Sequence, residues 1–170
     1  MSLSGRGLTE GELRLAREVF GGAIAYSRMR IGGGGFGPFA VTVGSRLFLP
    51  RHLRPADFAA ASPAMQALFI HELTHVWQFQ TRPLWTLASW ARAVATGGYG
   101  RGLPAYRYRV PFGAFARLNL EQQASVVEHA FLLGQGRRSP AMPAAATLAD
   151  YAGAPFPVSA VQMGPGGPWG

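Results

Sequence analysis

Cysteine is absent from the 170 residues. That excludes a disulfide framework, a thiolate zinc site and a cysteine nucleophile together, so any metal must be held by His, Asp or Glu. Lysine is absent too: all 16 basic residues are arginine, set against eight Asp and Glu, for a net charge of +8. The arginines are scattered, with no dense run of the kind that forms a nucleic-acid arm. They read as a basic soluble surface, with an anionic partner (cell-wall polymer, nucleic acid or an acidic protein) as the lesser reading. No apolar run is long enough to span a bilayer, and the N-terminus lacks the basic, then apolar, then small pattern of a signal peptide. Cytoplasmic residence is expected by default, with export by a specialised secretion system left open because such systems need no signal of this kind.

What the chain does have is His71-Glu72-Leu73-Thr74-His75. On a helix, residues four apart stand above one another, so both imidazoles can reach one zinc ion while Glu72 projects beside them to take a proton from a zinc-bound water. Apart from His71, Glu72 and His75, no residue between Ser62 and Thr81 is ionisable, which is the context a buried motif helix needs.

The length suits one globular unit with a real core, and the hydrophobic share of 48% argues against disorder across the whole chain. The expected fold is α+β: a compact domain over residues 1–138, in which a small antiparallel sheet packs on the central motif helix with further helices around it. Thr9 as N-cap and Glu12 as the closing partner predict a first helix with Leu13, Ala16, Val19 and Phe20 inward, ended by Gly21-Gly22. Residues 23–31 hold a short strand, and residues 39–43 and 46–49 form a hairpin around Gly44-Ser45 of type II′ character. The glycines of 32–37 satisfy GxGxxG formally, but no helix follows to present N–H groups to phosphate, so the segment reads as a turn. Ser62-Pro63 starts the motif helix and Pro83 stops it, with Met65, Leu68, Phe69, Leu73, Val76 and Trp77 buried. Residues 84–95 form another apolar helix containing Trp85, Leu87, Trp90 and Val94. Core packing or a cover over the cleft is expected of it, and an amphipathic membrane contact is the alternative. A last helix opens at Asn119, with Leu120, Ala124, Val127 and Phe131 on one face. Residues 139–170, rich in Ala, Pro and Gly, are expected to form an irregular tail, with a role in covering the cleft left open.

A catalytic zinc normally takes three protein ligands and leaves a fourth position for water. A third histidine in the HExxHxxGxxH pattern is excluded, since Gln78 and Thr81 occupy those positions. The downstream candidates are Glu121, Glu128, His129 and Asp150. Glu121 is preferred because it opens a helix whose apolar face must pack on the domain; Glu128, seven residues on and nearly on the same face, stands second.

The residues His71-Glu72-Leu73-Thr74-His75-Val76-Trp77-Gln78 together with Asn119-Leu120-Glu121-Gln122-Gln123-Ala124 resemble small bacterial proteins called Vgr-related and, more distantly, gluzincin-type metallopeptidase domains carrying HExxH followed by ExxA. The resemblance implies a zincin-like fold and Zn2+ held by His71, His75 and Glu121. It also implies a connection to Rhs and Vgr elements of type VI secretion. The spacing from His75 to Glu121 is longer than in thermolysin-like enzymes, and the domain is smaller.

The function that follows is a zinc-dependent peptidase acting on a peptide or protein substrate, with a zinc-activated water and Glu72 as general base. Tyr106, Tyr108, Arg107 and Arg109 are the candidate oxyanion donors, each more simply explained by packing or solvation. His52 and His129 are expected at the surface or in packing. The competing reading is a zinc-binding interaction module of a secretion element that hydrolyses nothing; the presence of Glu72 weighs against it.

Overall fold

The computed structural model describes residues 5–34, 37–100 and 102–156. Its architecture is α+β, with four helices and a three-stranded mixed sheet. Helix α1 spans Glu10–Phe20, strands β1, β2 and β3 span Arg30–Gly33, Val41–Val43 and Arg46–Leu49, and α2, α3 and α4 span Pro63–Thr81, Pro83–Ala95 and Leu120–Gly134.

Helix α1 starts as its sequence predicts. Thr9 Oγ1 accepts from the Glu12 N–H while the Glu12 carboxylate accepts from the Thr9 N–H, a complete capping box. Glu12 does more than cap. Fully buried, it also accepts two bonds from the Arg6 guanidinium, at 2.6 and 2.7 Å, and one from the Phe58 N–H at 3.1 Å. The inward face is Leu15, Ala16, Val19 and Phe20, with Leu13 only half-buried.

The expected antiparallel sheet is corrected to a mixed one. β2 and β3 do form the antiparallel hairpin, turning at Gly44 with φ 61°. β1, however, lies on the other side of β3 and runs parallel to it, pairing Ile31 with Leu47 and Gly33 with Leu49. Alternation along a strand says which face is buried, and carries no information on which neighbour the strand takes. The first strand is also later and shorter than expected, because residues 26–28 coil into a 3-10 turn. Of the glycine-rich turn, Gly35 and Phe36 lie outside the described residues.

Helix α2 runs through the middle of the molecule, against β2, α1, α3 and α4. Ser62 caps it and Pro63 occupies its first turn. Every residue from Phe69 to Val76 is buried, so the helix shows no polar face over that stretch. Its apolar members join a core with Phe58, Leu47, Leu49, Val126, Val127 and Phe131. Phe58 and Phe69 stack with ring centroids 4.8 Å apart. Met65, Leu68 and Trp77 are half-buried, whereas Ile70 and Ala67 are inside.

Helix α3 departs furthest from expectation. Leu87, Trp90 and Val94, expected in the core or over the cleft, are about half exposed, and the residues turned inward are Thr86 and Ala93. The reason is geometric: α3 follows α2 after one break at Pro83, and only a narrow strip of it reaches α2 and α4.

Helix α4 carries the expected Asn119 cap, with Gln122 closing the box, and buries Leu120, Ala124, Val127 and Phe131. Beyond it, Met142, Ala146, Tyr151 and Phe156 are buried against the core, and the 3-10 turn Leu148–Tyr151 packs on α4. The expected tail beyond Phe156 lies outside the described residues. Among the described residues, no helix is long and apolar enough to cross a membrane.

Candidate metal centre

His71 and His75 stand one turn apart on α2, ring centroids 5.0 Å from one another. Glu121, in the first turn of α4, faces them both: its Oε2 lies 3.2 Å from Nε2 of His71 and 3.2 Å from Nε2 of His75. All three side chains are buried, and one donor atom from each falls within 4.8 Å of the others. Two imidazole nitrogens and a carboxylate oxygen converging on one point form a set that could hold a metal ion.

The far side of each imidazole is also engaged. Nδ1 of His71 lies 2.9 Å from Oε2 of Glu128, and Nδ1 of His75 lies 2.8 Å from Oε1 of Gln78. When each Nδ1 carries the proton and donates outward, each Nε2 lone pair is left pointing at the shared centre. Gln78 is itself pinned, donating through Nε2 to the Leu120 carbonyl and to Gln123 Oε1, both at 3.0 Å. Gln123 in turn donates to the Phe115 and Leu118 carbonyls. This fully buried amide pair holds the start of α4, and with it Glu121, in register with the histidines.

The electrostatics reflect the same closeness. Burial would push His71 down, but hydrogen bonds to Glu121 and Glu128 and their charges outweigh it and hold the imidazole well above its ordinary value. His75 is likewise raised: burial acts to lower it, and the charge and hydrogen bond of Glu121 prevail. Burial would raise Glu121, yet the charge of His75 and hydrogen bonds to both imidazoles hold it well below the usual carboxylate range. Each imidazole and the Glu121 carboxylate stabilise one another as charges while the two imidazoles repel; a cation among them would supply the counter-charge for the carboxylate with both rings neutral.

Around this centre, Tyr99 donates its hydroxyl to Glu121 Oε1 at 2.6 Å, so both oxygens of that carboxylate are placed. Tyr106 lays its ring against His71 at 5.8 Å. Burial first, and then the nearby Glu121 charge, raise both phenols, so they stay protonated as donors. Glu72 is buried beside His71 and accepts from Thr42 Oγ1 of β2 at 2.6 Å. That bond ties the carboxylate to the sheet's outer strand.

No family model matches the chain. Among curated proteins it is 33% identical, over 141 residues, to the type VI secretion system spike protein VgrG2b of Pseudomonas aeruginosa, covering 76% of this chain and 13% of that protein. Among solved structures it matches the effector domain of Pseudomonas aeruginosa VgrG2b with a TM-score of 0.64 at 33% identity, covering 79% of this chain and 77% of that one. The chain belongs to the family of the VgrG2b effector domain. It spans only about an eighth of the length of the whole spike protein it matches.

In this member of the VgrG2b effector-domain family, the structure brings His71, His75 and Glu121 together and sets Glu128 behind His71 rather than at the shared centre. Of the four candidate oxyanion donors, only Tyr106 borders the centre. Tyr108 is turned to His129 Nδ1 at 2.6 Å and the Tyr151 hydroxyl at 2.7 Å, and Arg107 and Arg109 are exposed. His129 is buried in that packing and His52 is exposed. Asp150 caps the turn at Thr147. Sequence reading missed Tyr99, Thr42 and Gln78. Gln78 carried a local signal, three residues after His75 on the same helix, while Tyr99 and Thr42 have none outside the tertiary contacts.

Proposed function

We propose that this chain is an effector module associated with a Vgr-type spike of a type VI secretion system, that it holds Zn2+ through His71, His75 and Glu121, and that it hydrolyses peptide bonds. The secretion link rests on the similarity to the VgrG2b effector domain. The metal is supported by one observation above others: both Nε2 atoms face the same Glu121 oxygen while both Nδ1 atoms are occupied behind them. A buried set of two nitrogens and one oxygen suits zinc and leaves a fourth position free.

Bound zinc supplies Lewis acidity, which makes water a nucleophile near neutral pH and polarises a carbonyl. The chain's own residues do the rest. Glu72, one residue from His71, is held through Oε2 by Thr42, and its Oε1 would take the proton of the attacking water and return it to the leaving amine. Tyr99 fixes Glu121 through its second oxygen, and Tyr106 offers a phenolic donor at the edge of the centre.

The second reading is a zinc-holding module of the secretion element without hydrolysis. The similarity to an effector domain supports the association alone, and the Thr42 bond also accounts for Glu72 as a tie between α2 and β2. Wild type, Glu72→Gln and His75→Ala separate the two on a denatured-protein library with zinc content measured in parallel. The peptidase reading expects Glu72→Gln to keep its zinc and lose roughly 100-fold or more in cleavage rate. Zinc-replete wild type that cuts nothing leaves the binding module. Equal zinc in wild type and His75→Ala removes both.

A further inference from the structure

Helix α3 presents the wrong face to water. Its spacing places Leu84, Leu87, Ala91 and Val94 along one side, with Ala88, Trp90 and Ala95 flanking them, and all seven are exposed. Leu84 is 82% exposed and Trp90 and Val94 about half. The uncharged polar residues of the helix go the other way: Thr86 is fully buried and Ser89 half-buried. The inner strip, Trp85 with Ala93, is satisfied by Ala105, Leu120, Tyr99 and Tyr106, so the outer apolar row is surplus to the fold. Just past α3, in a segment tied to it by the Gly98 N–H on the Ala93 carbonyl, Leu103 sits at φ 46° with 41% of its surface exposed. A leucine in the left-handed region, shown to solvent, carries a conformational cost.

The charge carried by α3 itself is Arg92, which is exposed, and between Glu72 and Glu121 the sequence holds six arginines and no Asp or Glu, in a chain of net charge +8. A protein partner that buried the row would need an apolar face with acids. An anionic bilayer supplies both in one surface, acyl chains for Leu84, Leu87, Trp90 and Val94 and phosphates for Arg92. At 13 residues, α3 is about 20 Å long, too short to span the hydrocarbon and suited to lying in the interface.

We propose that the exposed face of α3, with its Arg92, is a docking surface for anionic lipid bilayers. It makes the chain a peripheral membrane binder, and it does not depend on the metal centre.

The test is flotation of the full chain with vesicles of phosphatidylcholine alone and of phosphatidylcholine with phosphatidylglycerol at 3:1. The expected result is binding to the anionic vesicles, weakened by salt, with Leu87→Asp and Trp90→Asp each lowering the partition coefficient by about tenfold. Arg92→Gln lowers it by a few-fold, and His75→Ala leaves it unchanged. Circular dichroism of each variant identifies loss of fold, and Leu87→Gln serves if Leu87→Asp unfolds. Absence of binding, equal binding to neutral vesicles, or anionic binding that ignores Leu87→Asp and Trp90→Asp overturns the proposal. So does a dimer in solution that Leu87→Asp dissolves without any vesicle binding, which would give the face to a second copy.

Discussion

Oε2 of Glu128 lies 2.9 Å from Nδ1 of His71, on the opposite side of the ring from Glu121. A carboxylate in that position sets the tautomer and the angle of the imidazole, and makes its other nitrogen a better donor to a cation. Glu128 and Glu121 share a face of α4, yet one faces both imidazoles and the other stands behind His71. Their different distances along α4 from its contact with Gln78 decide which is which.

Glu128→Ala is expected to weaken zinc binding by about 10–100-fold while leaving one ion per chain at saturation. Competition against a chromophoric chelator measures it. An unchanged affinity would show that Glu128 does not orient His71.

Gln78→Ala removes the acceptor behind His75 and leaves Gln123 Oε1 and the Leu120 carbonyl short of a donor in a buried site. It should weaken zinc binding and also destabilise the metal-free protein by about 1–3 kcal/mol, which urea titration reads. Glu128→Ala strips the buried His71 Nδ1 of its partner, so it should lower metal-free stability too, chiefly at acidic pH where the imidazole is charged.

The pH dependence follows from the shifts at the centre. In the metal-free protein, His71 and His75 are raised, so their contribution is fully present below about pH 6.5 and is lost as pH climbs through their folded values. Glu121 is depressed, so its contribution is present above the ordinary carboxylate range and is lost as pH falls through its folded value. Metal-free stability should therefore be greatest in the weakly acidic range and fall on the alkaline side. Zinc displaces protons from the imidazoles, so the rise in Tm on adding zinc should grow with pH. Thermal melts from about pH 5 to about pH 9, with zinc and with chelator, check both slopes. A zinc-induced rise that is flat with pH would count against the ligand set.

Glu12→Ala should cost about 2–3 kcal/mol, because the buried Phe58 N–H and the Arg6 guanidinium lose their acceptor along with the α1 cap. Guanidinium denaturation measures it, and zinc content should stay unchanged, since Glu12 is no part of the centre.

Much of this protein is written locally. Thr9, Ser62 and Asn119 mark three helix starts because a cap is a contact between residues three apart, and His71 with His75 share a face because of the helical repeat alone. The hairpin at Gly44 is equally local. Which strand neighbours β3, and in which direction, depends on where the chain arrives after a long connection, so the parallel partner β1 could not be read. The same holds for α3: its hydrophobic content is plain, but whether that content meets a core or water is settled by how much surface α2 and α4 leave for it. At the candidate metal centre, composition narrowed the proposed third ligand to Glu121, Glu128, His129 and Asp150, and local pattern favoured Glu121 over Glu128. The two carboxylates differ by two turns on one helix, and only the packing of α4 across α2, locked by Gln78 and Gln123, turns one toward both histidines and sets the other behind one of them.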